Sequence, residues 1–156
     1  MNEARLIGVV IDPASLAPAG TEVEQEREVA IADLLEQNTF QPAGGEGGPY
    51  RLRIGREDNR LVLEVSGPDY NRAHGLSLTP FRGIIRDYFM VCDSYYDAVR
   101  GSSPQQIEAL DMGRRGLHNE GSELLRERLT GKIETDLETA RRLFTLICAL
   151  HRRAPT

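Results

Sequence analysis

Residues 103–131, SPQQIEALDMGRRGLHNEGSELLRERLTG, place the tightest limits on what this chain can fold into. Ser103 and Gln106 have the three-residue spacing of a capping box, and Pro104 suits the first helical position. Gly131 supplies a stop, because glycine enters the left-handed conformation without penalty. Between these signals Leu110, Leu117 and Leu124 recur seven apart, accompanied by Ile107 and Leu125. The spacing predicts one long helix. Gly113, Gly116 and Gly121 oppose it, since each costs about 1 kcal/mol relative to alanine in a helix interior. Either the helix breaks near Gly116–Asn119, or the glycines let another backbone come close.

A chain of 156 residues is one domain by its length, residues 1–156, and can bury a core without metal or disulfide staples. Its net charge of −5 argues against a protein devoted to wrapping nucleic acid, which carries a basic excess. The longest strongly apolar run, Leu143–Leu150, is interrupted by Thr145 and falls short of a membrane span of roughly 20 residues. The stretch MNEARLIGVVID has too short an apolar run for a signal peptide and no small-residue cleavage site. The expected compartment is the cytoplasm, with no membrane attachment. Cys92 and Cys148 each fall within an apolar helical pattern, without a C-x-x-C spacing or clustered histidines. They are expected to be buried free thiols rather than zinc ligands.

Taken in order, residues 5–12 (RLIGVVID) read as a strand apolar on both faces, stopped by Pro13. Thr21 and Glu24 form a second capping box, opening a helix to about Gln37 with Ala30, Ile31, Leu34 and Leu35 along one face. NTFQPAGGEGGPY is a flexible connection; lying between a helix and a strand, it is wrongly placed to cradle a phosphate. Residues 50–56 and 60–66 alternate as a β-hairpin, Tyr50, Leu52 and Ile54 facing in and Arg51 and Arg53 facing out. Glu57, Asp58 and Glu64 are placed to neutralise that arginine strip. Residues 75–78 add a short strand. Thr79-Pro80 starts a helix that runs to Gly101 and is almost encircled by apolar positions. Thr135 with Glu138, or Asp136 alone, caps a last helix from 137 to about 152, also apolar nearly all round.

The fold expected is α+β: a small antiparallel sheet of three to four strands packed against four helices, with an all-helical C-terminal half. The helices at 80–100 and 137–152 each offer more than one apolar face, which favours a homodimer as the closed solution.

SLTPFRGIIRDYFMVCDSYYDAVR, ALDMGRRGLHNEGSELLRERL and TARRLFTLICALH together resemble a bacterial group known as uncharacterised protein family (UPF) number 0262. The resemblance runs from about Arg5 to His151, and MGRRGLHNEG is its most specific run. It implies a small cytosolic bacterial protein and brings no ligand, cofactor or catalytic residue to carry over.

The densest polar chemistry is therefore weighed from the residues. On a continuous helix Asp111, Arg115, His118, Ser122 and Arg126 share one side. Asp, His and Ser on one straight helix are a poor frame for a catalytic triad, and nothing near Ser122 resembles a nucleophile elbow. If the helix breaks near Gly116, Asn119 or Ser122 caps a new helix, and amide donors converge with Arg114, Arg115 and His118 as an anion site requires. Arg114, Arg115, His118, Asn119 and Ser122 are thus the candidate site for a small phosphorylated or carboxylated ligand. His74, His118 and His151 lie on three separate segments, which argues against a metal site. Two functions follow. The first is a non-enzymatic interaction or regulatory protein acting through partner contacts; the second is an enzyme or sensor of a small anion. They differ in whether the candidate side chains converge on a concave surface or splay along an exposed helix.

Overall fold

Strand alternation decides how the sheet is built. In the computed structural model, which describes residues 4–16 and 20–151, the first strand is β1 (Leu6–Ile11). It is followed by α1 (Thr21–Glu36), β2 (Phe40–Pro42), β3 (Tyr50–Glu57), β4 (Arg60–Gly67) and β5 (Tyr70–Ser77). Tyr50, Leu52 and Ile54 on β3 and Leu61, Leu63 and Val65 on β4 are buried, while Arg51 and Arg53 between them are exposed. Arg53 pairs with Asp12 at 3.2 Å and Glu64 at 3.5 Å, so the outer sheet face offsets part of its positive charge.

The sheet order is β1-β3-β4-β5. The two hairpins are antiparallel, but β1 and β3 run parallel, so the sheet is mixed rather than wholly antiparallel. The reason is topological: α1 lies between the two strands in sequence and carries the chain back, so both can enter from the same end. The third strand of the hairpin region is longer than residues 75–78, because Tyr70 and His74 continue the inward alternation and the Tyr70 hydroxyl meets His74 Nε2 at 3.0 Å.

The glycine-rich stretch after α1 is less loose than its composition implies. Phe40–Pro42 pairs antiparallel with β6 (Ile133–Thr135), a second small sheet that joins the first third of the chain to the last. Thr135 therefore belongs to a strand, and Asp136 caps the final helix by accepting from Thr139 N at 2.9 Å. At the start of α1 the cap is Gly20, with no side-chain hydrogen bond, so Thr21 does not form its expected box. Thr79 similarly lies within a short 3-10 turn, Thr79–Phe81, ahead of the helix proper.

The helical half comprises α2 (Arg82–Val99), α3 (Pro104–Leu129) and α4 (Leu137–Cys148). Both sides of the Ser103–Gln106 capping box are made, and Gly131 takes φ +85° beyond the other end of α3. The helix does not break at its glycines. Cys92 and Cys148 are buried and form no disulfide among the described residues, as their apolar settings predict. His151 follows α4, whereas Arg152 and Arg153 lie outside the described residues.

Gly121 shows why α3 tolerates a glycine in its interior. A Cβ there would lie 2.2 Å from the end of the Phe144 ring, which is fully buried on α4. Burying a side chain of that size contributes about 1.5–3 kcal/mol, more than the roughly 1 kcal/mol glycine penalty. At exposed Gly116 a Cβ would meet nothing within 4 Å. Substituting alanine at the two positions should consequently have opposite effects. Gly116→Ala should raise stability by up to about 1 kcal/mol, and Gly121→Ala should lower it by about 1–3 kcal/mol through overpacking. Urea denaturation of both variants checks this; a stable Gly121→Ala protein would show that the seam is not close-packed.

Candidate functional site

The seven-residue leucine repeat does not mark the most deeply buried side of α3. Leu110, Leu117 and Leu124 are half-buried, and the fully buried line runs through Gly121, Ser122, Leu125 and Leu129. Removing a Cβ at 121 turns that line into the contact with α4, and drags His118 and Ser122 inward from what reads as a polar face. His118 lies against Tyr88 and Phe144, with ring centroids 5.4 and 5.2 Å away.

The hydrogen bonds of His118 follow from that burial. The Thr145 hydroxyl donates to the Arg141 carbonyl at 3.3 Å, so it accepts from His118 Nε2–H at 2.7 Å. Ser122 donates to the His118 carbonyl at 2.6 Å and is fully buried. These bonds are made within the helix pair, so they hold the helices rather than activate a nucleophile. Burial lowers the imidazole pKa to about 4, aided by the nearby charges of Arg141 and Arg114.

On the side of this seam facing α1, a groove of about 640 Å³ opens. Tyr88 and Tyr96 come from α2, Arg114 and His118 from α3, and Arg141, Arg142 and Thr145 from α4. Arg114 is held in place by its neighbours. Its Nη2 donates to Asp111 at 2.5 Å, and its guanidinium lies 4.2 Å from the Tyr95 ring centroid. Charge-assisted hydrogen bonding and cation–π attraction both resist its swinging away. Arg142 donates to Glu138 at 3.2 Å and Arg141 pairs with the same carboxylate at 3.6 Å. The Arg142 Nε is buried and without a hydrogen-bond partner among the described residues.

Of the five residues that the sequence brings forward, the fold gathers two into the groove, Arg114 and His118. Arg115, two-thirds exposed, reaches Asp111 from the solvent side, its Nε donating at 2.9 Å. These two arginines, Arg115 first, hold the Asp111 carboxyl below its ordinary range. Asn119 has a buried side-chain oxygen with no partner among the described residues, and neither it nor Ser122 lines the groove. Because α3 is continuous, it has no internal N-terminus beside Arg114 or His118. What sequence reading misses is Arg141 and Arg142, adjacent cations in the first half of an otherwise apolar helix. Two charges at that point interrupt an all-round apolar pattern, a signal of a second, polar surface on α4.

Comparison with known proteins agrees with the resemblance over nearly the whole chain. The model of the Uncharacterised protein family (UPF0262) matches residues 3–153. The chain belongs to that family. A UPF0262 protein of Phenylobacterium zucineum is 68% identical over 149 residues, covering 96% of this chain and 94% of the relative. One from Caulobacter vibrioides is 64% identical with the same coverage, and one from Hyphomonas neptunium is 56% identical over 99% of both chains. No solved structure matches the chain.

The lowered pKa of His118 has a measurable consequence. In the unfolded chain the imidazole titrates near 6.5 and in the folded protein near 4, so the unfolded state binds more protons between those values. Stability should be complete above about pH 6.5 and fall as pH drops towards 4, with a contribution from His118 on the order of 3 kcal/mol. His74 and His151, also lowered by burial, slope the same way. Denaturant melts between pH 4 and 7 should show a shallower pH dependence for His118→Gln than for the parent. An unchanged slope would place the imidazole in solvent.

Proposed function

We propose that this protein binds a small anionic ligand in the groove between α1, α3 and α4, and acts as a regulatory or interaction protein rather than as a catalyst. The observation that carries this reading is the convergence of Arg114, Arg141 and Arg142, from two helices, on one concave surface. Arginine presents forked donors matched to carboxylate and phosphate, and three of them in one concavity are suited to phosphorylated or carboxylated metabolites. A volume of about 640 Å³ is within the range that small ligands occupy. Catalysis is the weaker reading because the Thr145 hydroxyl is engaged on both sides by Arg141 and His118, and the Tyr96 hydroxyl is held by Glu26.

Action through a partner, with the homodimer as the first form, is supported by a different observation. Met90 and Val99 on α2 and Met112 on α3 are more than half exposed. Contact between two copies there removes apolar surface from water. No helix of the described residues is long and apolar enough to cross a membrane, and the cytoplasm is the compartment we assign. Nucleic acid is a poorer partner, given the acidic net charge.

The reading is tested by thermal denaturation against a panel of phosphorylated and carboxylated metabolites. A ligand at 100 times its dissociation constant should stabilise by about 2.7 kcal/mol, a rise of several degrees in Tm for a chain of this size. Arg141→Ala should leave the unliganded protein folded, since Glu138 retains Arg142, and weaken binding by roughly tenfold to a hundredfold. Sedimentation should give twice the 17.4 kDa chain mass. A protein that no tested anion stabilises has no such site.

A further inference from the structure

The groove is not uniformly basic. Its α1 wall is built from Gln25, Glu26, Val29, Ala30 and Asp33, one face of that helix, and it brings two carboxylates opposite the arginine wall. With Glu138 at the foot of α4, three carboxylates accompany three guanidinium groups. Among the described residues the α1 carboxylates form no ion pair with these arginines. Glu138 already bridges Arg141 and Arg142 on its own helix. Glu26 accepts from the Tyr96 hydroxyl through one oxygen, leaving its other lone pairs. The Asp33 carboxylate pairs with no described residue. Guanidinium and carboxylate walls facing each other across open space form a cavity with a positive and a negative side, and a bare polyanion would meet the second as repulsion.

We infer that the ligand of this groove is a zwitterion, its acidic group on Arg114, Arg141 and Arg142 and its protonated amine on Asp33 and Glu26. This rests on the anion-binding reading above and narrows it to amino-acid-like and amino-phosphate compounds. Each end of such a molecule replaces lost hydration with a charge-assisted hydrogen bond. The same arrangement disfavours amine-free dicarboxylates and polyphosphates, whose second negative charge has no cation on the α1 side. Arg114, held by Asp111 and Tyr95, sets the position of the acidic end. Tyr96, kept protonated by burial and by Glu26, sets that of the carboxylate nearest it.

Matched pairs of probes test the inference by calorimetric titration of the full chain. Aspartate is compared with succinate, and phosphoethanolamine with ethyl phosphate, each pair differing in the amine alone. The expected result is at least tenfold tighter binding of the amine-bearing member in one or both pairs. Asp33→Asn and Glu26→Gln should erase that preference while leaving the binding of the plain anion unchanged or tighter. Equal or tighter binding of succinate and ethyl phosphate in the parent protein overturns the zwitterion inference and leaves the anion reading standing. Failure of all four probes to bind, in a parent protein that melts cooperatively, overturns both. A preference that survives in both acidic-wall variants places the amine elsewhere and also refutes the inference.

Discussion

The contact of Phe144 with the bare backbone at Gly121 is the interaction on which the helical half depends. It sets how close α3 and α4 come, and the closeness has two results. On one side it buries His118 and Ser122, whose hydrogen bonds then have to be completed within the helix pair. On the other it turns Arg114 and Arg141 towards the same groove. A larger residue at 121 would separate the helices and loosen both arrangements at once, so the packing and the shape of the groove share one atomic constraint.

Most elements of the fold are legible in the sequence because their signals are local. The Ser103–Gln106 box, the alternation of Tyr50, Leu52 and Ile54, and the glycine stop at 131 each act within a few residues of where they stand. The β2–β6 pair is not legible in the same way. Three residues bearing a proline and set beside four glycines look like a loop, and their partner strand lies at the far end of the chain. The parallel pairing of β1 with β3 is hidden for the same reason, since it depends on where α1 directs the chain.

The candidate site divides along similar lines. The sequence points to the right helix and to Arg114 and His118, because charge clustered beside glycines is visible from residue types alone. It misplaces the chemistry around them. A break at Gly116 is reasonable on propensity, yet tertiary packing outweighs a penalty of about 1 kcal/mol per glycine, and the helix stays whole. Arg141, Arg142, Glu26 and Asp33 sit on two other helices, and only the fold brings them into one groove with Arg114. Arg115 has the same residue type and the same partner as Arg114, but one position along a helix turns it by about 100° and into solvent.

The pairing of Phe40–Pro42 with Ile133–Thr135 also bears on how the protein is made. Asn38, next to it, holds β1 by donating to the Leu6 carbonyl and accepting from the Leu6 amide, and Thr39 donates its amide to Thr139 on α4. The opening strand is thereby fastened to the last helix through a few residues in between. During synthesis the N-terminal half emerges with its inner face uncovered, because Leu143, Phe144, Leu146 and Ile147, which complete the core, are still to be translated. A chain that stops short of α4 lacks that side of the core.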